Sequence, residues 1–167
     1  MSSSGQTSLR IGTDDRAHVA FFRSTAHDLC YIVQNGLSPV TWHDPQLVDD
    51  GNAGAYVSLS LYSALNLAQI AYTGQNGSGL RHVIQYFIFQ SGTFWGTPET
   101  VDSQIVETPV LRLDAASQPQ IYYYRVFDTH LHAAYQRGSG WENRVLDGNG
   151  MAGGGIGMAF STLNGLP

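Results

Sequence analysis

The sequence predicts an α+β domain, and three observations predict it. Tyr56–Tyr72 (YVSLSLYSALNLAQIAY) changes period midway. Tyr56, Ser58 and Ser60 alternate with Val57 and Leu59 as in a strand, whereas Leu61, Ala64/Leu65, Ala68 and Ala71/Tyr72 recur at helical spacing. Leu29, Ile32 and Val33 form a second short helical stripe, opened by the Thr25/Asp28 capping spacing and closed by Asn35-Gly36. Three later segments, RHVIQYFIFQ (81–90), QIVETPVLRL (104–113) and QIYYYRVF (120–127), are rich in the β-branched and aromatic residues of strands.

In chain order, residues 1–16 are polar and Ser/Gly-rich, a flexible lead-in to a single domain over 17–167. His18–Phe22 (HVAFF) is a short apolar strand running into Arg23, and the predicted helix follows. Leu37–Gly54 has no sustained period and carries Trp42 and His43, a long ordered loop of the kind usually tied to function. Ser60 stands at the strand–helix switch of the central segment as an N-cap, and Gly74 stops that helix. Ser91–Ser103 is another loop, with Phe94, Trp95 and Pro98. Pro109 implies an edge or a bulge in the 104–113 strand, and Trp141–Leu146 is a last short strand. His130 and His132 are spaced as metal ligands could be, but with no further donor beside them they read as surface histidines. The glycine tract 147–159 lacks the flanking strand, helix and acid of a dinucleotide loop. No internal repeat is evident.

Composition narrows the class. At 167 residues with 43% hydrophobic content and a mean hydropathy of -0.14, the chain reads as one soluble globular domain. No apolar run approaches the ~20 residues of a membrane span, and no signal peptide is visible. Export would then need a specialised apparatus, or the chain is excised from a longer one. Cys30, the single cysteine, allows no intrachain disulfide. All eight basic residues are arginine. A chain without lysine offers no ubiquitin acceptor, an advantage in a foreign cytosol, although arginine drift in a GC-rich genome produces the same composition. The net charge of -5 argues against a nucleic-acid backbone as main partner. Glutamate occurs only at 99, 107 and 142, so a carboxylate chemistry has few candidates of that type.

Arg23 at the end of the first strand, Ser58 on the central strand and Glu107 on a late strand fall in the order Arg–Ser–Glu. With the strings around them, FFRSTAHDLCYIVQNGLSP, AYVSLSLYSALNLA and QIYYYRVFD, the chain resembles the Arg–Ser–Glu class of mono-ADP-ribosyltransferase toxins, the family of cholera toxin, heat-labile enterotoxin and pertussis toxin, over residues 18–150. The resemblance implies two packed, mostly antiparallel sheets with flanking helices and a cleft that binds NAD as co-substrate, with no metal. Arg23 and Ser24 would grip the dinucleotide and His43 would lie in the loop that closes over it. Ser58 would touch the nucleotide and orient Glu107, and Glu107 would stabilise the oxocarbenium-like transition state. Gln104 would position the acceptor, although Gln104-Ile105-Val106-Glu107 departs from the family's Glu-x-Glu or Gln-x-Glu spacing, and Leu59 stands where threonine is usual.

The implied activity is cleavage of the nicotinamide–ribose bond and transfer of ADP-ribose to a macromolecular acceptor, protein or nucleic acid with protein favoured, with NAD glycohydrolysis as a side activity. The implied setting is a secreted or delivered toxin or effector acting in a target-cell cytosol, with a cognate immunity or delivery partner. Two competitors stand beside it. One is a pseudoenzyme of the same fold that binds NAD or a host protein. The other is a secreted β-rich recognition module using its nine tyrosines and three tryptophans.

Overall fold

The protein is described by a computed structural model covering residues 5–62, 65–88, 92–149 and 156. Strands β1 (Thr7–Ile11), β2 (Ala17–Arg23), β3 (Asp28–Leu37), β4 (Val40–Trp42) and β5 (Gln46–Asp49) form one antiparallel sheet. The second comprises β6 (Ala53–Tyr62), β7 (Leu67–Gly74), β8 (Ser78–Ile88), β9 (Gly92–Trp95), β10 (Glu99–Leu113), β11 (Pro119–Arg125), β12 (His130–Arg137) and β13 (Gly140–Asp147). Among the described residues the one helical element is a 3-10 turn, Gln75–Gly77. The expected α+β fold with flanking helices is therefore overturned: the chain is nearly all β.

The long strand β10 changes partner along its length. Glu99–Ile105 pairs with β8 and Val106–Leu113 with β11, with register shifts around Asp102 and between Glu107 and Val110, where Pro109 sits. Divided there, the two sheets become three four-stranded meanders. They are β1-β2-β3-β5, then β6-β7-β8 with the first half of β10, then the second half of β10 with β11-β12-β13. The sequence repeats with them: Val19, Ile70 and Ile121, then Leu29, Leu80 and Leu131, then Gln34, Gln85 and Gln136 recur at an interval of 51 residues. The expectation of no internal repeat fails on this point.

The meanders stack face to face. Ile70 and Tyr72 of β7 pack against Ala20, Leu29 and Tyr31 of the first unit. Their neighbour Ala71, with Leu80, packs against Leu111, Ile121 and Tyr123 of the third. Successive β7 residues thus point into different interfaces. The second unit is thus packed between the first and the third.

This burial explains the misread helices. A strand covered on both faces shows no apolar/polar alternation and reads as a continuous apolar run. The stretch expected to be one helix over Leu61–Tyr72 is the end of β6, a turn with Asn66 at φ 52, and β7. Ser60 caps nothing there; it pairs with Gln69 in the β6–β7 ladder. The helix expected around 25–36 is a turn and β3, whose Leu29, Tyr31 and Val33 alternate onto the first interface. Loops expected over 37–54 and 91–103 carry β4, β5, β9 and the start of β10, and Thr7–Ile11 of the expected lead-in is β1, paired with β2. Most of the glycine tract lies outside the described residues.

Two polar latches join the units, and each occurs twice. The Ser8 hydroxyl accepts from the Leu59 N–H at 2.9 Å across the first interface, and the Ser58 hydroxyl accepts from the Leu111 N–H at 2.9 Å across the second. The Tyr72 hydroxyl donates to Asp49 at 2.6 Å, and the Tyr123 hydroxyl to Asp102 at 2.7 Å. In each case the last strand of one unit supplies the carboxylate and the second strand of the next supplies the phenol. Arg81 braces Asp49 at 3.1 Å and Arg125 braces Asp102 at 2.6 Å. Each carboxylate is thereby paired and hydrogen-bonded, as a buried charge must be.

Candidate functional site: two clefts between the first and second units

The first two units part at both ends of their shared interface. One cleft, of about 270 Å³, lies at the end of β2 and β7; Phe22, His27, Tyr56, Asn76 and Ile105 of the first two units wall it, and Glu107 enters it from the third. The other, of about 580 Å³, lies at the start of the same strands. Leu67 and Thr73 mark the two ends on β7, roughly 20 Å apart at the ~3.3 Å rise of a strand.

This places the residues singled out by the sequence. Glu107 is half-buried in the smaller cleft with Ile105, two residues before it on the same face; Gln104 is exposed and is not among the cleft residues. The Gln104 backbone N–H instead donates to Asp102 at 2.9 Å, fixing the bulge where β10 changes partner. Arg23 follows the cleft residue Phe22, so strand alternation turns it to the other face. Its exposed guanidinium pairs with Asp28 at 3.4 Å, and Ser24 is exposed in the turn beyond. Ser58 is 6% exposed and is engaged with the Leu111 N–H, so its hydroxyl serves the second interface. His43 lies in the larger cleft, at the opposite end of the strands from Glu107. Of the six residues, the structure brings none of the other five into the cleft with Glu107.

The larger cleft has a different chemistry. The first unit contributes Asp14, His18, Tyr31, His43, Asp44 and Gln46; the second contributes Asn66 and Gln85. His18 stands at the start of β2, where the strand turns it onto the face that packs against the second unit. It is 4% exposed, its Nδ1 shares a hydrogen bond with the Tyr31 hydroxyl, and its Nε2 has no protein partner. Burial, opposed by Asp14 and helped by Arg16, holds its pKa below the ordinary value, and burial raises that of Tyr31. Both are therefore neutral hydrogen-bonding groups near neutral pH. The Gln46 amide oxygen accepts from Trp95 Nε1 at 3.1 Å and from Gln85 Nε2 at 3.4 Å, tying the cleft wall of one unit to the other. The Trp95 ring stands edge-on to Tyr31 at 5.2 Å.

Among the described residues no arginine lines either cleft. Two carboxylates, Asp14 and Asp44, wall the larger one. A pyrophosphate there would meet like charge and no fixed cation.

His18, Tyr31, Gln46, Gln85 and Asn66 were not read as site residues from sequence. The interval of 51 residues was the available signal, because it marks Gln34, Gln85 and Gln136 as equivalent. In the first two units that glutamine accepts from a β-strand N–H, Ala17 to Gln34 at 3.1 Å and Ala68 to Gln85 at 3.3 Å. Pro119 removes the donor in the third.

No family model matches the chain, and none of the curated proteins matches it. No helix among the described residues is long and apolar enough to cross a membrane.

Proposed function

We propose that the protein is a recognition module that binds a small, neutral, hydroxyl-rich ligand, a saccharide by chemical class, in the larger cleft between the first two units. The observation that carries this reading is the lining of that cleft, where Asp14, His43, Asp44, Gln46, Asn66 and Gln85 converge as side chains that accept and donate hydrogen bonds. Amides, imidazoles and carboxylates together offer both donors and acceptors, which suits an array of hydroxyls. The buried Tyr31 and the Trp95 ring packed edge-on against it form a rigid aromatic support behind that polar lining. Such pockets join a few placed polar groups to aromatic walls.

The test is calorimetric titration of the full chain with a panel of neutral mono- and disaccharides. His43→Ala and Asp44→Ala alter exposed residues and leave the core intact. Saturable binding of at least one saccharide, weakened tenfold or more in both variants, is the expected result. No binding across the panel, or binding indifferent to both substitutions, refutes the proposal.

Cleavage of NAD is the second reading. It rests on the sequence resemblance and on Glu107, half-buried in the smaller cleft beside Tyr56. Against it stand the engagement of Ser58 at an interface, the pairing of Arg23 with Asp28 and the remoteness of His43. Nicotinamide release from NAD that disappears in Glu107→Ala would favour this reading over the first.

A further inference from the structure

We infer that Asp128, His130 and His132 form a binding site for a divalent transition metal, zinc by the chemistry of its donors. The site lies in the third unit, at the turn between β11 and β12, away from both clefts.

Geometry comes first. His132 Nε2 stands 2.9 Å from Asp128 Oδ2, and His130 Nδ1 stands 3.9 Å from the same oxygen. One donor atom from each residue falls within a sphere of mutual distances no longer than 4.8 Å. Tetrahedral zinc with bonds of about 2.0–2.1 Å asks for donors roughly 3.3 Å apart. The His132–Asp128 and His130–Asp128 separations, 2.9 and 3.9 Å, bracket that spacing, and His130 and Asp128 are partly exposed. Two imidazoles and a carboxylate suit zinc among the divalent ions, and three protein donors leave one position for water.

The surroundings orient the donors. The His130 backbone N–H donates to Asp128 Oδ1 at 3.2 Å, which leaves Oδ2 turned to the imidazoles. Tyr123 stacks on the His132 ring, 5.6 Å between centroids and 23° between planes, and is itself fixed by its bond to Asp102. Such outer contacts set ligand direction in metal sites. One cation opposes the ion: Arg125 Nη1 lies 3.3 Å from Asp128 Oδ2. Its Nε and Nη2 are already held by Asp102 at 3.2 and 2.6 Å, so the Asp128 contact is the one that an ion can displace without freeing the guanidinium.

The repeat supplies an independent argument. At the same interval of 51 residues the second unit has Gly77, Gly79 and Arg81 where the third has Asp128, His130 and His132. Many core positions recur from unit to unit, and these three do not; at the position of His132 the second unit carries Arg81, which braces Asp49 instead. The His132–Asp128 pair alone could brace a turn, but the second unit builds the corresponding turn without any such pair.

The experiment uses the full, tag-free chain freed of metal, with Zn²⁺ measured by calorimetry and Co²⁺ as a spectroscopic probe. One equivalent is expected to bind, with cobalt absorption bands of a low-coordinate site that zinc abolishes. His130→Gln, Asp128→Asn and His132→Gln should each weaken zinc at least tenfold. His130 is partly exposed, so His130→Gln should keep the melting temperature of the metal-free protein while losing its rise on adding zinc. Absence of stoichiometric binding, or zinc binding unchanged in His130→Gln, overturns the site; the latter would place the ion on other histidines.

Discussion

His82 is wholly buried between Gln69, whose amide oxygen lies 3.0 Å from its Nε2, and the edge of Trp141, 5.1 Å away. Its Nδ1 has no partner, and burial pushes its pKa down to about 4. The unfolded chain, with an ordinary imidazole near 6.5, therefore binds more protons than the native state between about pH 4 and 6.5. The associated stability is fully present above that window and falls as pH drops through it, by about 3 kcal/mol at its lower end. Urea unfolding at pH 7, 5.5 and 4.5 should show this decline, and His82→Phe should remove about one proton from its slope. An unchanged slope would show that His82 is not the group responsible. His18, lowered by burial, adds to the wild-type slope with the same sign, and Asp102, also lowered, adds to it at the acid end of the window. The Asp102 carboxyl lies below its usual range because bonds from Gln104, Arg125 and Tyr123 outweigh the desolvation that alone would raise it. At this scale the sequence was partly legible. His43 and Glu107 stand out in it and do line clefts, but they line different ones. Ser58 lies on a strand, as expected, but the packing of its hydroxyl against the third unit depends on residues far along the chain.

The strands are held by the repeated latches rather than by caps or helices. Ser58→Ala leaves the buried Leu111 N–H without an acceptor, and Tyr123→Phe removes a hydrogen bond to an ionised carboxylate. Each should cost about 1–3 kcal/mol in denaturant titration. Tyr72→Phe should cost at least as much as Tyr123→Phe, because Asp49 then keeps one guanidinium contact, from Arg81, where Asp102 keeps two from Arg125 and the Gln104 N–H. A silent Tyr123→Phe would show that the latch holds nothing. The strand segments with strong β signals, 81–88, 104–113 and 120–125, were readable from β-branched and aromatic content, and Pro109 did announce a bulge. The helical reading of the central segment failed because both faces of β7 are covered. Ala68, Ile70 and Tyr72 serve the first interface and Ala71 the second, so hydrophobicity carries no period from which a face can be told.

At the scale of the molecule, a small set of positions recurs to build the stack, and the chemistry sits where the units differ. Asp49 and Asp102, Tyr72 and Tyr123, Gln34 and Gln85 keep equivalent structural duties. His18 faces a cleft from a position where the next two units carry Gln69 and Gln120. The repeat is hard to see in the sequence because its apolar positions interchange freely among valine, isoleucine and leucine and its turns vary in length; packing requires only hydrophobic residues of suitable volume. The most direct test is ¹H–¹⁵N correlation spectroscopy of the labelled chain, recorded with the saccharide panel and, separately, with NAD. Saccharide should shift the signals of His18, Tyr31, His43, Gln46 and Asn66 as one cluster and leave Tyr56, Asn76 and Glu107 unmoved. Shifts gathered around Glu107 on adding NAD, with the larger cleft silent to every sugar, would contradict the proposed function.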